Sequence, residues 1–144
     1  MRIAYAADDA NETTRAVVAY LSEQGHEVVA PVTSGRWPDI GAAVGRAVVD
    51  GDASLGIVMC WTGTGTAIAA NKVPGVRAAL AWDPWIAQGA RRWNDANVLA
   101  LSLKRLAPDV AVEVVRAFLD TSEPDPDEAA NIELLKTLER EPPG

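Results

Sequence analysis

Residues 55–59, Leu-Gly-Ile-Val-Met, carry no polar side chain and run straight into a Gly/Thr-rich turn, CWTGTGT (60–66). A strand that faces water on one side alternates polar and apolar positions, whereas a continuous apolar run belongs to a strand covered on both faces. Covering both faces of a sheet takes helices above and below it, so the rest of the chain must alternate strands with amphipathic helices. It does. RIAYA reads as a strand stopping at Asp8-Asp9, and Asn11 is placed to cap a helix through about Gln24 with Val17, Val18 and Leu21 on one face. EVVAP is a second strand, TSGRW a loop, and Pro38 opens a helix carrying Ile40, Val44, Ala47 and Val48. After the turn come the helix AIAANK, the strand VRAALA, a helix start at Asp83-Pro84, the strand NVLALSL, and a helix from Pro108 to near Asp120.

The expected fold is therefore a doubly wound, Rossmann-like α/β domain: a five-stranded parallel sheet with helices on both faces, plus a C-terminal helix. Residues 1–121 make the domain. Residues 122–144 make an acidic linker and a helix bearing Ile132, Leu134, Leu135 and Leu138, which belongs to the same domain or packs on a neighbouring subunit.

Composition narrows the function. The 144 residues suit one domain, and the net charge of −7 is unevenly placed. Residues 1–119 hold 12 acids and 11 bases, while residues 120–144 hold 8 acids and 2 bases. A near-neutral body with an acidic end lacks the Lys/Arg clusters that nucleic-acid binding needs. No apolar run reaches the roughly 18 residues of a membrane helix, and MRIAYAADD has no secretory pattern, so a cytoplasmic protein is expected. Cys60 and His26 stand alone in their types: no internal disulfide, too few ligands for zinc, and a Ser-His-Asp triad only through His26. Five tryptophans accompany that single histidine.

Doubly wound sheets bind ligands at the carboxyl ends of their strands. Asp8-Asp9, Cys60 to Thr66, and the turn after Ala81 all fall there. Glycines in the second segment let backbone N–H groups face a ligand, and the helix start that follows favours anions and would favour a Cys60 thiolate. Cys60 then reads as a base or nucleophile, or else as a small buried hydrophobe. Asp8 and Asp9 cap a helix, bind sugar hydroxyls or act as general acid and base. The turn is neither G-x-G-x-x-G nor a G-K-[ST] loop, which disfavours NAD and ATP.

CWTGTGTAIAANKVPGVRAAL (60–80) and RRWNDANVLAL (91–101), with weaker agreement in RIAYAADDA, QGHEV and WPDIGAAV, resemble the type B ribose-5-phosphate and galactose-6-phosphate isomerases. The resemblance runs from the start of the chain to about residue 120. It implies a homodimer or homotetramer with sites shared between subunits, working on a sugar or sugar phosphate without metal or organic cofactor. It also implies an aldose–ketose isomerisation through a cis-enediolate, with Cys60 as the base and Asp8 contacting the sugar ring oxygen or hydroxyls. Thr62 and the backbone from Gly63 through Thr64 to Gly65 would hold the enediolate oxygen, and Asn94 would reach the substrate from the neighbouring subunit.

The departures from the family pattern fall on functional positions. Asp9 stands where the family has histidine, Trp61 fills a glycine position, Trp93 replaces a ring-opening histidine, and Lys104 stands for an arginine. The basic C-terminal clamp corresponds to Glu128-Ala129-Ala130-Asn131, without a basic residue. Indole cannot shuttle a proton, and Asp9 repels phosphate where histidine attracts it. The expectation is an isomerase that kept proton transfer but changed its substrate away from the usual pentose 5-phosphate. Asp9, Trp61, Trp93 and Lys104 join Gly63, Thr64, Gly65 and Asn94 as candidate substrate contacts. The alternative is a non-catalytic sugar-binding or partner-dependent subunit on the same scaffold, with Trp61 plugging the pocket.

Overall fold

The structure, a computed structural model, describes residues 1–32 and 35–139. Its elements follow in the order β1 (Arg2–Ala7), α1 (Glu12–Glu23), β2 (Glu27–Val29), α2 (Trp37–Val49), β3 (Leu55–Cys60) and α3 (Thr64–Asn71). They continue with β4 (Ala78–Leu80), α4 (Pro84–Asn94), β5 (Val98–Ser102), α5 (Pro108–Asp120) and α6 (Ala129–Leu138), a short 3₁₀ turn at Pro126–Glu128 leading into α6. The strands form one parallel sheet in the order β2-β1-β3-β5-β4. The expected doubly wound architecture is present.

Alternation along the strands divides the core in two. Ile3, Leu55, Ile57, Met59, Leu99 and Leu101 pack with Val17 and Leu21 of α1, Ala87 of α4 and Val114 and Phe118 of α5. Ala4, Ala6, Val58, Val98 and Ala100 pack on the opposite face with Ile40 and Val44 of α2 and Ala67 and Ala70 of α3. Every residue of β3 is buried, as its apolar sequence requires. Asn11 closes a capping box with Thr14 at the start of α1, and Asp83 caps α4. Asn11 also reaches across, donating its amide to the Leu103 carbonyl at 3.2 Å.

Two elements differ from the sequence expectation. α3 starts at Thr64, three residues before the AIAANK segment, because Gly63 takes the left-handed cap position and lets Thr64-Gly65-Thr66 enter the first turn. The apolar ridge of α6 is only partly used: Ile132 is buried, whereas Leu134, Leu135 and Leu138 are exposed. Contacts to the domain come from the Asp125 N–H on the Arg92 carbonyl at 2.7 Å and the Gly75 N–H on Glu139 at 2.9 Å. Thr33 and Ser34 of the expected loop and residues 140–144 of the C-terminal segment lie outside the described residues. Among the described residues no helix is long and apolar enough to cross a membrane.

Removing Asn11 as Asn11→Ala loses both the cap and the tie to the end of β5. Urea denaturation is expected to register a loss of about 1–2 kcal/mol, with an unchanged far-ultraviolet spectrum.

Candidate active site

The connection from β1 through α1 leads to β2 on one side, and the connection from β2 through α2 returns to β3 on the other. The loops that leave the carboxyl ends of the paired strands β1 and β3 therefore diverge and leave a crevice between them, the place where such sheets bind ligands. Asp8 follows β1, and its N–H continues the ladder onto the Met59 carbonyl at 3.1 Å. Side chains alternate with a period of two, so Asp8 shares a face with Ala4 and Ala6, and Cys60 with Val58. Both face α2 and α3. They line one cavity of about 350 Å³ together with Trp37, Trp61, Thr62, Thr64 and Gly65.

Cys60 ends β3 with its sulfur turned toward the start of α3. Gly63 holds φ at +79°, where a Cβ would stand 2.5 Å from Leu80 Cδ1 and 3.0 Å from the Leu101 carbonyl carbon. Only glycine fits that turn. The turn aims the Gly63 N–H at Cys60 Sγ (3.2 Å), and the Thr66 hydroxyl lies within donating distance of the same sulfur at 3.3 Å. Burial pushes the Cys60 thiol up, but hydrogen bonds from Thr66, Gly63 and Thr62 outweigh it and leave the thiol below its ordinary value. Thr62 and Thr64 join their hydroxyls at 2.7 Å, and the Thr64 N–H leans on Thr62 Oγ1 at 3.3 Å.

Asp8 is perturbed the opposite way. Burial, then the charge of Asp9, raise its pKa, only partly offset by a backbone hydrogen bond. Its Oδ1 is buried without a partner among the described residues. A buried polar atom without a protein partner costs stability and is free to accept a hydrogen bond from water or a ligand group. The shift favours the protonated carboxyl, a form that can donate a hydrogen bond as well as accept one.

The tryptophans form walls. Trp37, at the start of α2, presses on the first turn of α3 so closely that a Cβ on Gly65 would meet its ring at 2.9 Å. Trp61 is 44% exposed and borders the cavity without filling it. The end of β5 pins the loop: Ser102 Oγ donates to the Trp61 carbonyl at 2.7 Å, and the Leu103 N–H bonds the Cys60 carbonyl at 2.9 Å.

The other expected site residues lie elsewhere. Asp9 is exposed and shares with Asp8 a neighbouring cavity along β1. Lys104 lines a third cavity of about 600 Å³ beyond Trp61, with Arg105 and Trp82. Trp93 and Asn94 end α4 at the opposite edge of the sheet, and the 11 residues of α4 put that edge about 16 Å below the carboxyl ends. One chain alone does not bring Asn94 to Cys60. His26 sits at the start of β2 with its ring 3.1 Å from the Met1 amino group, far from the cavity, which holds no histidine. Among the described residues no cluster of three or more His, Cys, Asp or Glu is arranged for a metal ion.

The sequence offers no role for Trp37 or Ser102, and it places Thr66 in the Cys60 to Thr66 segment without one. Thr66 carried a usable signal, one helical turn beyond the Cys60 loop; Trp37 and Ser102 come near the site only through packing.

Residues 3–135 match the family model described as Ribose/Galactose Isomerase. The chain belongs to that family. It is 38% identical over 110 residues to the ribose-5-phosphate isomerase B of Escherichia coli, covering 72% of each chain. It is 43% identical over 84 residues to the D-erythrulose-4-phosphate isomerase of Pectobacterium atrosepticum, a match spanning 58% of this chain and only 55% of that enzyme. The ribose-5-phosphate isomerase B of Clostridium thermocellum superposes with a TM-score of 0.89 at 34% identity, over 97% of this chain and 98% of that one.

The Asp8 geometry predicts an unusual stability effect. A carboxyl whose folded pKa is raised contributes stability below its unfolded pKa and loses it as pH rises through the folded pKa. Asp8→Asn is therefore expected to raise the melting temperature at pH 7, with the gain shrinking as pH falls toward 4.

Proposed function

We propose that the protein is an aldose–ketose isomerase that works through a cis-enediolate, with Cys60 as the base, on a four-carbon sugar phosphate in place of the usual pentose 5-phosphate. The observation that carries the reading is the shared cavity of Cys60 and Asp8, a thiol biased toward thiolate facing a carboxyl biased toward its acid. Paired groups whose environments push their pKa values apart are suited to opposite halves of one proton transfer.

The thiolate takes the proton from carbon 2 of the aldose. The C–H electron pair becomes the C1–C2 double bond, and the carbonyl oxygen on C1 takes the negative charge. Thr62, Thr64 and the backbone at Gly65 donate to the developing oxyanion, where fixed donors count most. The Cys60 S–H then returns its proton to C1, while Asp8 relays the proton of the C2 hydroxyl to the oxygen on C1. Atoms and charge balance with no cofactor.

Several features support the smaller substrate. Trp61 and Trp37 narrow the cavity. A tetrose esterified on O4 has no hydroxyl left to close a five-membered ring, so it stays open-chain and needs no ring-opening acid. That requirement matches a site with Trp93 where the family has histidine, and it agrees with the identity to an enzyme named for erythrulose 4-phosphate. Lys104 and Arg105, beyond Trp61, supply the cations for its phosphate.

The active unit in this proposal is a homodimer or larger homo-oligomer in the cytoplasm, where a lone thiol stays reduced. Trp37, Trp61, Trp82, Trp85 and Trp93 are all exposed on the single chain, as is the Leu134, Leu135 and Leu138 ridge of α6. Apolar surface of this extent calls for a partner. A second copy would cover it and bring Trp93 and Asn94 to the Cys60 cavity.

Deuterium exchange from solvent into the carbon beside the carbonyl tests the chemistry across tetrose 4-phosphates, pentose 5-phosphates and free sugars. The fastest exchange is expected with a tetrose phosphate, and Cys60→Ser is expected to slow it about 10²–10⁴-fold. No exchange with any sugar would leave the non-catalytic subunit as the reading; undiminished exchange in Cys60→Ser would remove the cysteine from the mechanism.

Site sharing has its own test. Cys60→Ser and Asn94→Ala chains, each inactive alone, are expected to regain activity when unfolded and refolded together, because a mixed dimer contains one intact site. Absence of any recovery would assign each site to a single chain.

A further inference from the structure

Thr66 is completely buried in the first turn of α3, and its hydroxyl oxygen lies 3.3 Å from Cys60 Sγ and 3.3 Å from the Gly63 carbonyl. A hydroxyl has one proton, so it can serve only one of these acceptors at a time. A helical threonine ordinarily gives its proton to the carbonyl three or four residues back, and Gly63 is that carbonyl. Here a sulfur competes at the same distance.

The competition costs little to resolve either way. The Gly63 carbonyl also accepts the Ala67 N–H at 3.2 Å, so it keeps a partner when the hydroxyl turns away. The threonine is held in place: it is completely buried, and α2 packs on its backbone so closely that a Cβ on Gly41 would come within 2.6 Å of the Thr66 carbonyl oxygen.

We propose that Thr66 is the positioning residue of Cys60: its proton rests on the Gly63 carbonyl while the sulfur is a thiol and turns to the sulfur when the thiolate forms. A single O–H rotation then accompanies each ionisation, with no heavy atom displaced, so the base is readied without reorganising the loop. Its bearing on turnover rests on Cys60 being the base proposed above. The competing titratable groups are few. Asp8, just past β1, is the other ionisable residue lining the cavity. α3 and β5 contribute none, Asp39 of α2 is exposed and paired with Arg36 at 3.5 Å, and Arg46 stands in the last turn of α2, away from Trp37.

Cys60 is the only cysteine, so the rate of alkylation by iodoacetamide against pH reads its ionisation without any sugar present. Thr66→Val removes the hydroxyl at nearly constant volume, Thr66→Ala removes it with less demand on packing, and Thr66→Ser keeps it. Both hydroxyl-free variants are expected to move the alkylation midpoint upward by about one pH unit, a tenfold loss of thiolate at a given pH below it. Thr66→Ser is expected to stay with the parent protein. With a turned-over sugar, kcat near neutral pH is expected to fall about tenfold with KM little changed, and the acidic limb of the kcat profile to follow the alkylation midpoint. An unchanged midpoint in a folded Thr66→Ala or Thr66→Val protein overturns the proposal, as does a serine variant that shifts like alanine. A midpoint that moves while Cys60→Ser still turns over sugar upholds the Thr66 role and removes Cys60 as the base.

Discussion

The hydrogen-bonded adjacency of β1 and β3 is the constraint on which the rest of the molecule depends. Their crossovers leave in opposite directions, and that alone opens a crevice at the carboxyl edge. Register does the rest. Ala6 pairs with Val58 and Ala7 with Met59, so the next step brings the residue after β1 beside the residue ending β3 on a common face. A slip of one residue would turn Asp8 or Cys60 to the opposite core. The uninterrupted burial of Leu55 to Met59 prevents such a slip, because every alternative register moves large apolar side chains out of packed positions.

Within the crevice, two ionisable groups are tuned against each other by different means. Asp8 is held by deprivation: burial and a neighbouring carboxylate disfavour its charge, and one oxygen has no partner. Cys60 is held by provision, since donors from the α3 turn converge on its sulfur despite burial. The Asp8 arrangement costs folding stability, because burial leaves one carboxyl oxygen without a partner among the described residues. The left-handed Gly63 is the hinge of the second arrangement, and no other residue could put its N–H there.

The order of elements was legible because each has a local cause. Asn11 and Asp83 are caps, Pro38, Pro84 and Pro108 open helices, and the apolar runs have strand length. The start of α3 was misplaced because threonines and glycines have weak helical preference, and only the packing of α2 against Gly65 and Thr66 draws them into the helix. For the site, Asp8, Cys60, Thr62, Thr64 and Gly65 could be read from strand ends and the loop, and they do line one cavity. Trp37 could not, because its approach to Gly65 is a tertiary contact between helices far apart in the chain. Lys104 stands at the same edge of the sheet but in a neighbouring cavity, which shares Trp61 and Thr62 with that of Cys60.

Sequence alone determined the alternation of buried strands and amphipathic helices, the fold class that follows, and the residues standing at the strand ends. Those are consequences of local periodicity and capping, which act over one or two helical turns. Only the tertiary structure decided which strand ends are neighbours, which way the Gly63 turn points its N–H, and that the Thr66 hydroxyl stands equally far from a carbonyl and a sulfur. It also decided that Trp93 and Asn94 stand at the edge of the sheet opposite Cys60, because α4 runs back to that edge before β5 begins. Such relations depend on the order of strands in the sheet and on interatomic distances of a few ångströms, and no local pattern encodes either.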